Sequence, residues 1–278
     1  MIDESKVQIE SLDEVVILES VDSTNSYARQ QLGDLFPPNR KRWGELSLIS
    51  TDDQRSGRGR LDRVWSAPAG TCLCSSFIIR PHANPKNQLP QESFHWFTLL
   101  VSLAAVQVWK SWGTDAAIKW PNDVMVGGKK VCGVLAQLVV EPNGRFSAVV
   151  GIGMNLNLTA SDLPVDTATS ALVETGREFD MEQALTELGD TVARYYRAFS
   201  AVGGDASAPM LGGLSLLDMV RNNMATLGQQ VTVHLPGDEK VVGLAVNIDD
   251  DGAVVVRESD GTERAWAVGD VVHMRPIV

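Results

Sequence analysis

The sequence predicts an α+β protein, a mixed β-sheet with packed helices followed by a small strand-rich domain. Three observations point there. Short β-rich runs broken by turn residues alternate with two long helical patterns. Residues 203–213, rich in Gly, Ala, Ser and Pro, separate two regions of different character. Beyond about residue 229, strand signals alone remain. With 278 residues, 44% hydrophobic and 21% charged, the chain can bury a sizeable core without a disulfide or metal staple.

The elements follow in order. Residues 15–18 form an apolar run that stops before Asp22-Ser23-Thr24-Asn25, whose side chains can accept the first N–H groups of a helix; strand, cap and helix are expected in succession. Residues 45–51 and 71–79 read as strands, the second bounded by Pro68, Gly70 and Pro81, with a glycine- and arginine-rich loop between the two. The apolar stretch 94–109 is interrupted by Thr98, Ser102 and Gln107 and falls short of the ~20 apolar residues a bilayer span needs, so it is expected as a core helix. Residues 117–120, 131–139 and 148–153 are expected as sheet segments, with turns at Gly127-Gly128 and Asn143-Gly144. Leu185, Leu188, Val192 and Tyr196 recur three or four apart and give one buried face to a helix over 181–199. Strand signals at 231–235, 241–248, 253–256, 264–268 and 271–274 predict a small barrel. The expected domains are 1–212 and 213–278.

Composition excludes more than it names. A net charge of −11, from 35 acids against 24 bases, argues against a general nucleic-acid-coating role, where Lys and Arg must neutralise phosphates. Cys72, Cys74 and Cys132 are odd in number and lack a repeated metal-ligand spacing, which fits a reducing, cytoplasmic setting. The first twenty residues lack the basic start and apolar core of a signal peptide, and no membrane role is expected.

Three motifs can carry chemistry. In Gln54-Arg55-Ser56-Gly57-Arg58-Gly59-Arg60, followed by Trp65, two glycines permit close backbone approach while arginines supply forked donors; alone, the loop suits phosphate or carboxylate, or is simply solvated. Lys119-Trp120-Pro121-Asn122-Asp123, then Lys129-Lys130-Val131-Cys132-Gly133 across a Gly-Gly turn, gathers cations, an amide and a carboxylate at one hairpin, although each alone also describes a turn and surface charge. In Gly151-Ile152-Gly153-Met154-Asn155-Leu156-Asn157, alternate glycines bare one face of a strand, which admits a flat ligand or marks a bulge. The third glycine of a dinucleotide fingerprint is missing.

In order and spacing these segments resemble the biotin protein ligase family, and the resemblance covers essentially the whole chain. It implies a mixed-sheet catalytic domain of the class II synthetase type and a C-terminal SH3-like barrel, in the form that is ligase only, without an N-terminal DNA-binding domain. It implies substrates biotin and ATP, with magnesium, and as acceptor a biotin carboxyl carrier domain of an acyl-CoA or pyruvate carboxylase; it also allows a homodimer. Ser23, Thr24 and Asn25 would border the biotin pocket, Gln54 would bond the ligand, and Gly57, Arg58, Gly59 and Arg60 would close over it. Gly133, Gly151 and Gly153 would leave space for the bicyclic ring. Lys130 would hold biotin's carboxylate and the adjoining phosphate, Arg58 and Arg60 phosphate oxygens, and Lys119, Asn122 and Asn155 the nucleotide. Trp65 would pack on adenine, and Asp123 would serve magnesium or the carrier lysine. Arg58, Lys119 and Lys130 are thus the expected catalytic groups, and no cysteine nucleophile is required.

At Gln137 the family commonly carries Glu; glutamine keeps the length and the hydrogen-bonding capacity and loses the charge, so a polar contact survives the change. Three other readings compete: a lipoate or octanoate ligase of the same superfamily, a biotin-responsive DNA-binding regulator, and a noncatalytic biotin-binding module.

Overall fold

The structure, a computed structural model, describes residues 1–33, 43–60, 63–86, 88–234, 240–267 and 273–276. The first strand, β1 (Glu14–Ile17), leads into α1 (Thr24–Leu32), capped by Ser23, whose side chain accepts the Ser26 N–H. Then follow β2 (Leu46–Thr51), a two-residue ladder of β3 (Gly57–Arg58) and β4 (Val64–Trp65), and β5 (Cys72–Ile79). The core helix α2 (Trp96–Ser111) precedes β6 (Ala117–Lys119), β7 (Asp123–Val126), β8 (Lys129–Val140) and β9 (Phe146–Asn155). After α3 (Ala171–Thr175), α4 (Met181–Ala201) and α5 (Leu216–Asn222) come β10 (Gln230–His234), β11 (Lys240–Ile248), β12 (Val254–Glu258), β13 (Glu263–Trp266) and β14 (His273–Pro276).

The α+β class is therefore as expected. A seven-stranded sheet runs β1-β2-β5-β9-β8-β7-β6, with β1 and β2 parallel and the other neighbours antiparallel. A five-stranded antiparallel sheet, β13-β12-β11-β10-β14, forms the C-terminal part. The expected strand positions 235, 268, 271 and 272 lie outside the described residues. The arginine-glycine loop, expected as irregular, contains the β3–β4 ladder, and the Lys119–Asp123 motif proves to be the turn between β6 and β7.

Alternation along the central strands assigns each face. Leu73 and Phe77 of β5, Val150, Ile152 and Met154 of β9, and Cys132 and Val134 of β8 join one core with α2 and α4. The opposite face carries Ile78 and Val149 under Ala28 and Leu32 of α1 at one end, and Gly133, Gly151, Gly153, Cys74 and Ser76 at the other. The site is built on that glycine-rich end.

At the other end, Arg80 grips buried Glu141 bidentately (Nε–Oε1 2.7 Å, Nη2–Oε2 2.9 Å), and Ser147 Oγ donates to Oε1. Burial raises the Glu141 carboxyl, but the Arg80 and Ser147 hydrogen bonds and the neighbouring positive charge outweigh it, so its pKa lies below the ordinary glutamate value. A carboxyl whose folded pKa is depressed stabilises the native state above its unfolded pKa and loses that contribution as pH falls through the folded one. Glu141→Gln is expected to lower stability at neutral pH by about 1.5–3 kcal/mol and to flatten the acid limb of the stability–pH curve. Urea titrations of both proteins between pH 3 and 8 check this; parallel curves would contradict it.

Candidate active site

The cap-and-helix motif and the Gln54 loop meet over β5. The Thr24 N–H and hydroxyl both donate to Gln54 Oε1, at 2.9 and 3.2 Å. Ser76 Oγ lies 2.8 Å from Thr24 Oγ1 and 2.7 Å from Asn25 Oδ1, either of which can accept its single proton. Asn25 Nδ2 donates to the Leu135 carbonyl at 3.0 Å, tying α1 to β8. Ser23, Thr24, Asn25 and Ser76 are all buried, and a buried polar cluster held by several directed bonds orders donors and acceptors for a polar ring.

The glycines make close approach possible. A Cβ on Gly151 would fall 2.2 Å from Asn25 Oδ1, and one on Gly153 would fall 2.4 Å from Cε2 of Trp65. Gly133 pairs directly with Gly153, and its Cβ would meet Lys130 Nζ at 2.9 Å and Trp65 Cζ3 at 3.2 Å. The space these glycines open is thus occupied by protein: Asn25 lies on Gly151, and the Trp65 indole lies on Gly153 and Gly133. The indole N–H donates to Cys72 Sγ at 3.3 Å, which seats the ring flat on the sheet.

The second motif supplies charge. Lys130 Nζ lies 2.6 Å from Asp123 Oδ1 and 5.6 Å from the centroid of a Trp65 ring, an ammonium held between a carboxylate and an aromatic face. Its backbone is fixed on the far side, where the Lys130 N–H donates to Thr167 O and Thr169 N–H donates to Lys130 O. Lys119 is the register partner of Asp123, which places both at the mouth of the β6–β7 turn. Burial pulls the Arg60 guanidinium below its ordinary value, while the Asp123 charge pushes it up, so Arg60 belongs to the same electrostatic group. Arg58 is exposed on β3, and Gly59 N–H donates to Arg63 O at 2.6 Å. Gly57, across from Trp65, is buried against Gln54.

Asp123, expected at magnesium or the carrier lysine, is thus found paired with Lys130. Asn122 and Asn155, expected at the nucleotide, also brace the fold. Asn122 Nδ2 donates to Val134 O at 2.7 Å and Asn155 Nδ2 to Thr169 O at 3.0 Å. Cys132 faces the core, where it accepts the Trp109 indole N–H at 3.0 Å, and burial raises its thiol pKa well above the usual value. The Cys74 thiol is also raised, by its contact with Cys72 and by burial. Neutral, enclosed thiols are poor nucleophiles.

Sequence reasoning missed Ser76. Its signal was present, since Ser75-Ser76 interrupts an otherwise apolar strand and Ser76 falls on the face of Gly151. It missed the Leu135 carbonyl as well, for which a backbone atom leaves no residue-type signal.

Residues 18–157 match the biotin/lipoate A/B protein ligase family, and residues 226–274 match the biotin protein ligase C-terminal domain. A bifunctional ligase/repressor BirA of Bacillus subtilis is 29% identical over 227 residues, covering 80% of this chain. The chain spans 65% of the length of that relative. A biotin–[acetyl-CoA-carboxylase] ligase of Mycobacterium tuberculosis is 29% identical over 237 residues, covering 82% of this chain and 79% of the relative. A biotin protein ligase from Aquifex aeolicus, solved in complex with biotin and ATP, shares the fold with a TM-score of 0.72 at 24% identity, covering 96% of this chain and all of that one.

Proposed function

The chain belongs to the biotin/lipoate A/B protein ligase family, and on that premise we propose that it activates biotin with ATP and transfers the biotinyl group to a lysine of a carrier domain. The observation that carries biotin over lipoate is the match of residues 226–274 to a domain described as that of biotin protein ligases.

In the first half-reaction a biotin carboxylate oxygen attacks the α-phosphorus of ATP; the bond to the β-phosphate bridging oxygen breaks and pyrophosphate leaves, giving biotinyl-5′-AMP. Negative charge accumulates where Lys130 stands, and a fixed ammonium offsets it without reorganisation. Asp123 holds that ammonium in place. Arg58, Arg60 and Lys119 serve the phosphates, and Asn122 and Asn155 border the nucleotide while bracing β8 and β9. The Ser23–Asn25, Gln54 and Ser76 network takes the polar ureido ring. The indole of Trp65, expected on adenine, lies on Gly133 and Gly153, and we assign it instead to the apolar wall needed by a thioether ring and aliphatic tail. Gly57 and Gly59 keep the arginines close to the ligand.

Magnesium fits this site as a partner of the nucleotide's own phosphates, since such ions keep few protein ligands. Among the described residues no group of three His, Cys, Asp or Glu side chains could hold a metal ion, and Asp123 is engaged by Lys130. When bound, the ion would offset phosphate charge.

In the second half-reaction the neutral ε-amine of a carrier lysine attacks the acyl carbon, the bond to the phosphate oxygen breaks, AMP leaves and an amide forms. No enzyme nucleophile takes part, which agrees with the enclosed thiols. We assign the acceptor to a biotin carboxyl carrier domain of an acyl-CoA or pyruvate carboxylase, and the working location to the cytoplasm. Among the described residues no helix is long and apolar enough to cross a membrane. We also propose residues 1–212 and 213–278 as the functional division, with α5 packed into the catalytic core.

With purified protein, biotin, ATP, magnesium and an unmodified carrier domain, mass spectrometry is expected to show one biotinyl group on one carrier lysine. A carrier left unmodified while ATP is consumed would contradict the transfer step.

A further inference from the structure

The strand that brings Lys119 to the site is held on its outer side by the C-terminal region. Ile118 N–H donates to Asn223 O at 2.7 Å, and Ala225 N–H donates to Ile118 O at 2.8 Å, so residues 223–225 make one parallel bridge along the outer edge of β6. The first residue after β6, Trp120, is buried and donates twice toward the C-terminal region. Its backbone N–H reaches Thr226 Oγ1 at 2.9 Å, and its indole N–H reaches the Gly252 carbonyl at 3.0 Å. Gly252 occupies the turn between β11 and β12 at φ +72°, and a Cβ there would meet Leu99 of α2 at 3.2 Å. Thr226 O accepts the Gln229 N–H at 3.2 Å, and this stretch is joined to β11, because Gly228 N–H donates to Ala245 O and Ala245 N–H donates to Gln229 O. After Pro121 come Asn122, which pins β8 through Val134, and Asp123, which holds Lys130.

We propose that Trp120 is a positioning residue, through which residues 223–226 and the β11–β12 turn fix the Lys119–Asp123 turn and with it the Asp123–Lys130 pair. The proposal rests on the biotin ligase reading. Trp120 touches no reacting atom in it; the two hydrogen bonds set the turn, the turn sets Asp123, and Asp123 sets Lys130. The hydrogen bonds of the biotin network run among Thr24, Asn25, Gln54, Ser76 and the Leu135 carbonyl, and those of the brace among Ile118, Trp120, Asn223, Ala225, Thr226 and Gly252; the two sets share no member, so the brace acts first on the charged turn and not on the ring. Coupling of binding free energies is reciprocal, so magnesium ATP, whose phosphates the Lys119–Asp123 turn receives, must in turn stabilise the small domain, whereas biotin alone need not.

The test uses Thr226→Val, which keeps volume and removes the acceptor of the Trp120 N–H, with Trp120→Phe as a second variant. Pyrophosphate exchange at saturating biotin and ATP gives kcat, calorimetry gives the biotin Kd, and hydrogen exchange follows the β11 and β12 amides with and without biotin and magnesium ATP. The expected result is a kcat about five- to tenfold lower in Thr226→Val, the loss of one hydrogen bond, with biotin Kd within about twofold of wild type. Ligand protection of the β11 and β12 amides should appear in wild type and weaken in both variants. A purely structural role would lower thermal stability and leave kcat per folded molecule and the ligand-dependent protection intact, which overturns the proposal. A wild type that binds biotin and exchanges pyrophosphate, with Thr226→Val indistinguishable from it, removes the proposal alone. A wild type that does neither removes the underlying reading, and the proposal with it.

Discussion

Lys130→Ala is expected to slow biotin-dependent pyrophosphate exchange by about 10²–10³-fold at saturating substrates, the cost of losing one preorganised charge-stabilising group. The substitution does two things. It removes the ammonium that offsets charge at the reacting phosphate, and it leaves Asp123, now 2.6 Å from nothing positive on β8, as a carboxylate facing incoming phosphates. Repulsion adds to the lost attraction. Lys130→Arg keeps the charge but changes a point cation into a planar fork, so partial recovery is expected. Asp123→Asn should fall between wild type and Lys130→Ala, because the ammonium remains but is less firmly held. An exchange rate for Lys130→Ala within about fivefold of wild type would be too small a change for one lost charge-stabilising group and would remove Lys130 from the mechanism.

Gly151→Ala should act on the other substrate. The added Cβ would overlap Asn25, which must leave Ser76 and the Leu135 carbonyl. Two directed bonds at about 1–1.5 kcal/mol each amount to roughly 2–3 kcal/mol of preorganisation that biotin must restore on binding, so the biotin Kd should rise about 30- to 150-fold. Alanine suits extended backbone, and the overpacking should cost about 1–3 kcal/mol of stability without unfolding the domain. Isothermal titration with biotin and a urea titration separate the two effects. An unchanged biotin Kd would show that the Asn25–Ser76 network does not recognise the ring.

Most of the fold was legible because burial is periodic. Leu185, Leu188, Val192 and Tyr196 lie on the buried face of α4, and the β9 glycines fall on one face because the side-chain period of a strand is two. The β3–β4 ladder was not legible, since two paired residues leave no period to read. Neither was the attachment of residues 223–226 to β6, which depends on backbone atoms and on a contact more than a hundred residues away. At the site, residue types revealed the cations and the glycines but not what fills the glycine space. Trp65 reads from sequence as an aromatic near a basic loop; its seat on Gly153 follows from the pairing that lays β4 beside Gly57 and from the Cys72 acceptor. Ser76 is marked in the sequence only as a polar break in an apolar strand, and its place on the Gly151 face follows from the β5–β9 register.

The central claim is that this site makes an acyl-adenylate from biotin. Pyrophosphate exchange into ATP, measured with purified protein and magnesium in parallel reactions with biotin, lipoate and octanoate, tests it most directly. Exchange that requires biotin and is absent with the other two acids is the predicted result. Exchange with lipoate or octanoate in place of biotin would move the chain to the other branch of its family, and biotin binding with no exchange would contradict the ligase mechanism itself.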